Sequence, residues 1–174
     1  APQVTFQVRG QASLARRATP AALPPNPGSE IDLSQNSVRL SLNMEGGAMG
    51  GLRRAMYGGE ERSFRDLAQA GQFWAFNGMV GMPDTPLASI NRGQLVRLTI
   101  LNDTAFPHAM HLHGMHFREV LESDALGPMR DTLLMDTAER REIAFVADNP
   151  GDWLLHCHML SHAASGMMTW VRVA

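Results

Sequence analysis

Apolar and polar residues alternate in short bursts along this chain. Val4, Phe6 and Val8 alternate with polar neighbours, which predicts a strand over residues 4–8. Residues 16–28 hold Pro20, Pro24, Pro25 and Pro27. Proline removes backbone donors, so this stretch predicts an extended linker over a surface. Alternation resumes with Val38, Leu40 and Leu42, a half-buried strand over residues 38–42. From residue 44 to 59 the chain is rich in glycine and methionine, and its apolar positions fit neither period, which predicts a loop. A short helix is expected over residues 60–70, with Phe64, Leu67 and Ala68 on one side. A strand over residues 73–76 runs into Asn77-Gly78, a hairpin-turn pair. Further strands are expected at 87–90, 95–101, 109–112, 117–121, 131–135, 142–145, 153–158 and 168–173. Many short strands bounded by Gly, Pro, Asn and Asp predict an all-β sandwich with Greek-key connections.

A length of 174 residues with 44% hydrophobic residues is enough for one core plus an extension. Lys plus Arg number 15 against 17 Asp plus Glu, so the charge balance favours neither nucleic acid nor an anionic membrane as partner. No apolar run approaches the roughly 18 residues of a membrane span. No basic-then-apolar leader opens the chain, so a leader was removed or the chain is cut from something longer. The single cysteine, Cys157, excludes an internal disulfide. A lone cysteine is ordinarily a small buried hydrophobe. Here it stands between two histidines.

Six of the seven histidines fall in two windows, His108-Ala-Met-His111-Leu-His113-Gly114 and His156-Cys157-His158-Met-Leu-Ser-His162, the second followed by Gly166-Met167. Strand side chains alternate between faces. His156 and His158 therefore point one way and Cys157 the other, and His111 and His113 likewise share a side. The two pairs make a four-imidazole patch. Cys157 faces a separate site, for which His108, His162 and Met167 are the candidate partners. His162 requires the chain to leave the strand and fold back, and Pro107 favours a turn before His108. Cysteine, two histidines and a weak methionine form the donor set of a blue copper electron-transfer site. Imidazole alone suits copper, zinc, iron or nickel, so the patch does not choose its metal. A zinc site at Cys157 would leave His111, His113 and Gly166-Met167 without a role.

His-x-x-His-x-His-Gly followed by His-Cys-His-x-x-x-His-x-x-x-Gly-Met resembles the copper signatures in the last domain of multicopper oxidases, which include laccases and cuprous oxidases. The resemblance runs from about Phe73 to the end and includes Asn149-Pro-Gly-Asp-Trp153. It implies a cupredoxin-like Greek-key β-sandwich over residues 36–174, preceded by a strand and proline-rich linker over 1–35. It assigns His108, Cys157, His162 and Met167 to a type 1 copper, His111 to a type 2 copper, and His113, His156 and His158 to a type 3 pair. Such enzymes take single electrons from a substrate at type 1, pass them through Cys157 and its flanking histidines, and reduce dioxygen to water at the trinuclear cluster. The resemblance also implies a periplasmic or extracellular location and a phenolic or Cu(I) reductant. Where several bacterial relatives carry an acidic residue after the equivalent of His162, this chain has Ala163, which leaves the proton route open.

The cluster in this family draws further His-x-His pairs from another domain, and this chain supplies only His111/His113 and His156/His158. The missing half is expected from an N-terminal cupredoxin domain of the same enzyme, or from a second copy of this chain across a two-fold axis. A non-enzymatic electron-transfer cupredoxin is the competing class. His116 is off-parity with His111 and His113 and is expected at the surface or behind a ligand. Asp131 is expected at a strand edge, or as an acceptor orienting an imidazole. Met44, Met49 and Met56 are either adaptable filler in the glycine-rich loop or a Cu(I)-binding set.

Overall fold

The computed structural model describes residues 4–7, 9–10, 21–24 and 30–174. Two sheets face each other across one core. The first runs in the order β4 (Trp74–Phe76), β1 (Ser37–Gly46), β6 (Leu95–Thr104), β11 (Arg140–Val146), β8 (Phe117–Val120), β9 (Leu126–Arg130). The second runs β10 (Thr132–Met135), β7 (His108–Leu112), β12 (Gly151–Cys157), β13 (Met168–Val173), β5 (Ala88–Ile90). The chain crosses between sheets repeatedly from β5 to β12, as the Greek-key expectation requires. Leu42, Leu98, Ile100, Phe117 and Phe145 of the first sheet meet Met110, Leu112, Leu133, Leu155 and Val171 of the second, all buried. Most strands alternate buried and open positions, the mark of a sheet with one wet face.

The stretch expected as a methionine-rich loop is partly strand. β1 continues to Gly46, paired with β4 and β6, and Met44 lies in the core with no exposed surface. β2 (Arg54–Tyr57) and β3 (Glu60–Ser63) form a hairpin that carries Met56, while Met49 is exposed. Met44 is thus core filling, and the three methionines do not share a loop. The expected helix over 60–70 begins only at residue 64, because β3 claims its first residues. α1 (Phe64–Gln69) starts where the Ser63 hydroxyl accepts the Asp66 N–H, and Leu67 anchors it on Leu52, Ala55 and Val80. The strand expected over residues 4–8 is not formed at 4–7, where Val4 and Phe6 are exposed; Val8 lies outside the described residues. Alternation without a neighbouring edge to pair with makes no strand. Of the expected linker, residues 21–24 are irregular and exposed, and the rest lies outside the described residues. β9 was hidden by Gly127 and Pro128, and it is an edge strand, where proline is tolerated. Among the described residues no helix is long and apolar enough to cross a membrane.

After β12 the chain turns into α2 (Leu160–Ala164), then returns through Gly166 to β13. The Ser165 carbonyl accepts the N–H groups of Phe73 (2.9 Å) and Trp74 (3.1 Å), which ties the end of α2 to β4. Gly166 has φ +122°, and a Cβ there would lie 2.2 Å from the Trp74 carbonyl oxygen. Gly166→Ala is therefore expected to destabilise the chain by about 2–4 kcal/mol through left-handed strain and this clash. Urea midpoints of the two proteins check it; equal midpoints would contradict the close approach of β4 and α2.

Candidate metal centre

β7 and β12 are antiparallel neighbours in which His111 opposes His156, Met110 opposes Cys157 and Leu112 opposes Leu155. Met110, Leu112, Leu155 and Cys157 point into the core, so His111 and His156 point out. His108 is the first residue of β7 and shares the parity of Met110, which places it on the inner side with Cys157. It reaches the site from a strand rather than from the expected turn. α2 folds His162 back to the same point. The His108 and His162 Nδ1 atoms each lie 3.8 Å from Cys157 Sγ and 3.1 Å from each other. The Cys157 N–H donates to the Met167 carbonyl at 3.1 Å, and both residues are fully buried.

Burial pushes the Cys157 thiol up, opposed by the nearby Met159 and Ala109 backbone. Burial, and then the neighbouring His162, push His108 down to about 4. His162 is also lowered by burial. Two neutral imidazoles converging on a buried thiol form a soft N₂S set with few protons to displace, which fits copper well. Trp74 closes one side, its ring centroid 4.9 Å from His108 and 4.7 Å from His162. Beyond His162 lies an open depression of about 600 Å³ lined by Phe64, Phe73, Trp74 and Phe106.

The outward face gathers four of the other five histidines, His111, His113, His156 and His158. The Nε2 atoms of His113 and His156 are 3.1 Å apart, and ligand atoms of His111, His113 and His156 all fall within 4.8 Å of one another. His158, just past β12, has its ring centroid 5.2 Å from that of His111. His111 Nδ1 donates to the Asp131 carbonyl at 2.8 Å, and His156 Nδ1 donates to the Cys157 carbonyl at 2.8 Å. A carbonyl only accepts, so both rings carry their proton on Nδ1 and offer Nε2 to a metal. Burial lowers His113 and His156 below the ordinary histidine range. His113 and His158 are exposed, so the patch is open to solvent.

His108 and His162 thus join Cys157, and His111, His113 and His156 form the second group; His158 adjoins that group by ring contact with His111, and His116 is in neither and exposed. Asp131 touches His111 through its backbone carbonyl rather than its carboxylate, which accepts the Thr132 hydroxyl at 3.0 Å. Sequence reasoning missed Trp74, Phe106, Thr104 and Asn102, which come to the site from β4, the end of β6 and the β6–β7 connection. The segment 102–107, Asn-Asp-Thr-Ala-Phe-Pro, held a turn signal that marked it.

A sequence model of the multicopper oxidase family matches residues 60–174. The chain is similar to a copper resistance protein A homolog of Pseudomonas syringae pv. tomato, 37% identical over 100 residues that cover 58% of this chain and 17% of that protein. It is similar to the multicopper oxidase MmcO of Mycobacterium tuberculosis, 34% identical over 96 residues, 55% of this chain and 19% of that protein. Among solved structures, a multicopper oxidase from Pseudomonas thermotolerans has a TM-score of 0.68 at 28% identity, covering 94% of this chain and 36% of that one. A protein from a marine microbial metagenome has a TM-score of 0.62 at 38% identity, covering 95% and 33%. The chain spans less than a fifth of those curated relatives and about a third of those solved chains.

The histidine shifts set a pH dependence for the metal-free chain. His108 falls from an ordinary 6.5 to about 4, so below pH 6.5 the unfolded chain binds a proton that the native one refuses. Stability is full above 6.5, falls as pH drops from 6.5 to about 4, and levels off below that for this group. The whole shift corresponds to about 3 kcal/mol. Urea midpoints of the metal-free chain at pH 7.5, 5.5 and 4.5 are expected to decline, and His108→Gln is expected to flatten the decline. An unchanged slope in that variant would contradict the assignment.

Proposed function

The chain belongs to the multicopper oxidase family, and on that premise we propose that it is the electron-accepting cupredoxin domain of a copper-dependent oxidase. In this proposal it takes single electrons from a reducing substrate, and dioxygen is reduced to water at a cluster completed by another domain or chain. The observation that carries the reading is one strand pair with donors on both faces. Cys157 faces one group, and its chain neighbours His156 and His158 face the other. Copper held by His108, Cys157, His162 and Met167 would supply one-electron exchange, and copper held by His111 with His113, His156 and His158 would supply dioxygen reduction.

The chain's own residues provide the route between the sites. One peptide bond links Cys157 to each flanking histidine. The hydrogen bond from His156 Nδ1 to the Cys157 carbonyl gives a second connection across the strand. Electron entry is assigned to the His162 edge. The depression there is walled by four aromatic rings, and among the described residues neither a carboxylate nor a thioether lines it. Cu(I) binding calls for soft sulfur donors, so this wall favours an apolar aromatic reductant such as a phenol over Cu(I).

The open imidazole face favours an oxidase over a simple electron carrier, because a carrier has no use for four converging imidazoles. Around them Leu154, Met168 and Trp170 point outward from β12 and β13, and Met82 and Pro83 extend the apolar rim. Such a rim suits a protein surface that brings further histidines. The cupredoxin unit is taken as residues 36–174, with 1–35 as the connection from a preceding domain. A periplasmic or extracellular location accords with this role.

In the copper-loaded monomer, a phenol is expected to bleach the cysteine–copper colour once, without sustained oxygen uptake. Steady oxygen uptake by a chain shown to be monomeric by sedimentation would contradict the need for a partner. Phe106→Ser is expected to slow bleaching by a phenol about tenfold, the equivalent of ~1.4 kcal/mol. Bleaching by a small inorganic reductant is expected to be unchanged. Equal slowing for both reductants would contradict the aromatic entry wall.

A further inference from the structure

Beneath His108 a short chain of hydrogen bonds reaches away from the metal donors. Asn102, at the end of β6, is fully buried. Its Nδ2 donates to the carbonyls of Phe106 (2.8 Å) and Asp136 (2.9 Å), which uses both amide hydrogens and turns Oδ1 toward Thr104. Oδ1 accepts the Thr104 N–H at 3.2 Å and the Thr104 hydroxyl at 2.7 Å. The hydroxyl has one hydrogen. Its nearest acceptor is Asn102 Oδ1, and its other carbonyl neighbour is Phe106 at 3.1 Å. With that hydrogen committed, the Thr104 oxygen can only accept. It takes the Phe106 N–H at 3.2 Å and faces His108 Nε2 at 2.8 Å. His108 must then carry its proton on Nε2, leaving a bare Nδ1. Nδ1 is the atom that faces Cys157 Sγ and His162 Nδ1. In the metal-free chain the bare Nδ1 accepts an N–H from His162 at 3.1 Å, with the Cys157 sulfur 3.8 Å away.

We propose that Thr104, oriented by Asn102, is a positioning residue that locks His108 in the Nε2–H tautomer and offers Nδ1 to the copper of the Cys157 site. The inference rests on the copper reading of that site. His108 is sealed from solvent, so no water can take over the Nε2–H if the hydroxyl is lost. A freed ring would place its proton on Nδ1, the atom the metal needs. Metal-binding histidines generally depend on such a partner for ring orientation, and its loss costs about 10–100-fold in affinity.

Asn102 also has an architectural duty, since its backbone bonds Glu139 and Ala138. The test therefore leaves it in place and uses Thr104→Val, which keeps shape and removes the hydroxyl, and Thr104→Ser, which keeps the hydroxyl. Long-range ¹⁵N–¹H correlation spectra of the metal-free full chain report the tautomer without any copper. The native chain and Thr104→Ser are expected to show His108 protonated at Nε2, and Thr104→Val a substantial share at Nδ1. With copper, Thr104→Val is expected to bind about 10–100-fold more weakly and to shift the cysteine-to-copper absorption, and Thr104→Ser to stay near native. A native His108 protonated at Nδ1, or a Thr104→Val chain with native tautomer, affinity and absorption, would overturn the proposal. If Nε2–H is found but copper gives no cysteine-to-copper band in the native chain, the copper reading falls while the hold of Thr104 on the ring stands.

Discussion

The antiparallel pairing of β7 with β12 is the constraint on which the rest depends. It sets His111 opposite His156 and Met110 opposite Cys157. Because strand side chains alternate, this single register assigns one donor group to the core and the other to the outer face. A slip of one residue would exchange them, exposing the thiol and burying the imidazoles, each change costly on its own. The hydrophobic partners Met110, Leu112 and Leu155 hold the register by facing the other sheet. Core packing and metal chemistry thus enforce the same alignment.

Around that pair the remaining elements act as supports. α2 returns His162 to the inner face, and the link from Ser165 to Phe73 and Trp74 fixes where the helix ends. Trp74 packs against both imidazoles of the inner site and forms part of the aromatic wall beyond it. The inner site is thereby dry on the core side and apolar on the open side, which favours neutral imidazoles. The outer site has no such cover, and the carbonyls of Asp131 and Cys157 set the tautomers of His111 and His156.

Much of this arrangement was legible in the sequence. Alternation through His156-Cys157-His158 and His111-Leu112-His113 separates the two sites from the sequence alone. The same rule applied to the odd spacing between His108 and His111 puts them on opposite faces, a signal that the turn expected at Pro107 obscured. Periodicity misled where it lacked a neighbour, as at residues 4–7, and where strands were short and polar, as in the β2–β3 hairpin. Met44 looked like loop because its glycine-rich surroundings hid the last residues of β1. The Asn102–Thr104–His108 relay and the aromatic wall depend on a connection folding back over a strand end, and on β4, α1 and α2 converging. No local pattern encodes either.

On the proposed reading, this chain by itself would hold one copper at His108, Cys157, His162 and Met167 and would leave the histidines of the outer face for a partner to complete. Optical titration of the metal-free monomer with copper, on a sample of known sedimentation mass, tests it most directly. The expected result is an intense cysteine-to-copper band that saturates at one copper per chain, with any further copper leaving the band unchanged. No band at the first equivalent, or a band that forms only as chains associate, would contradict it.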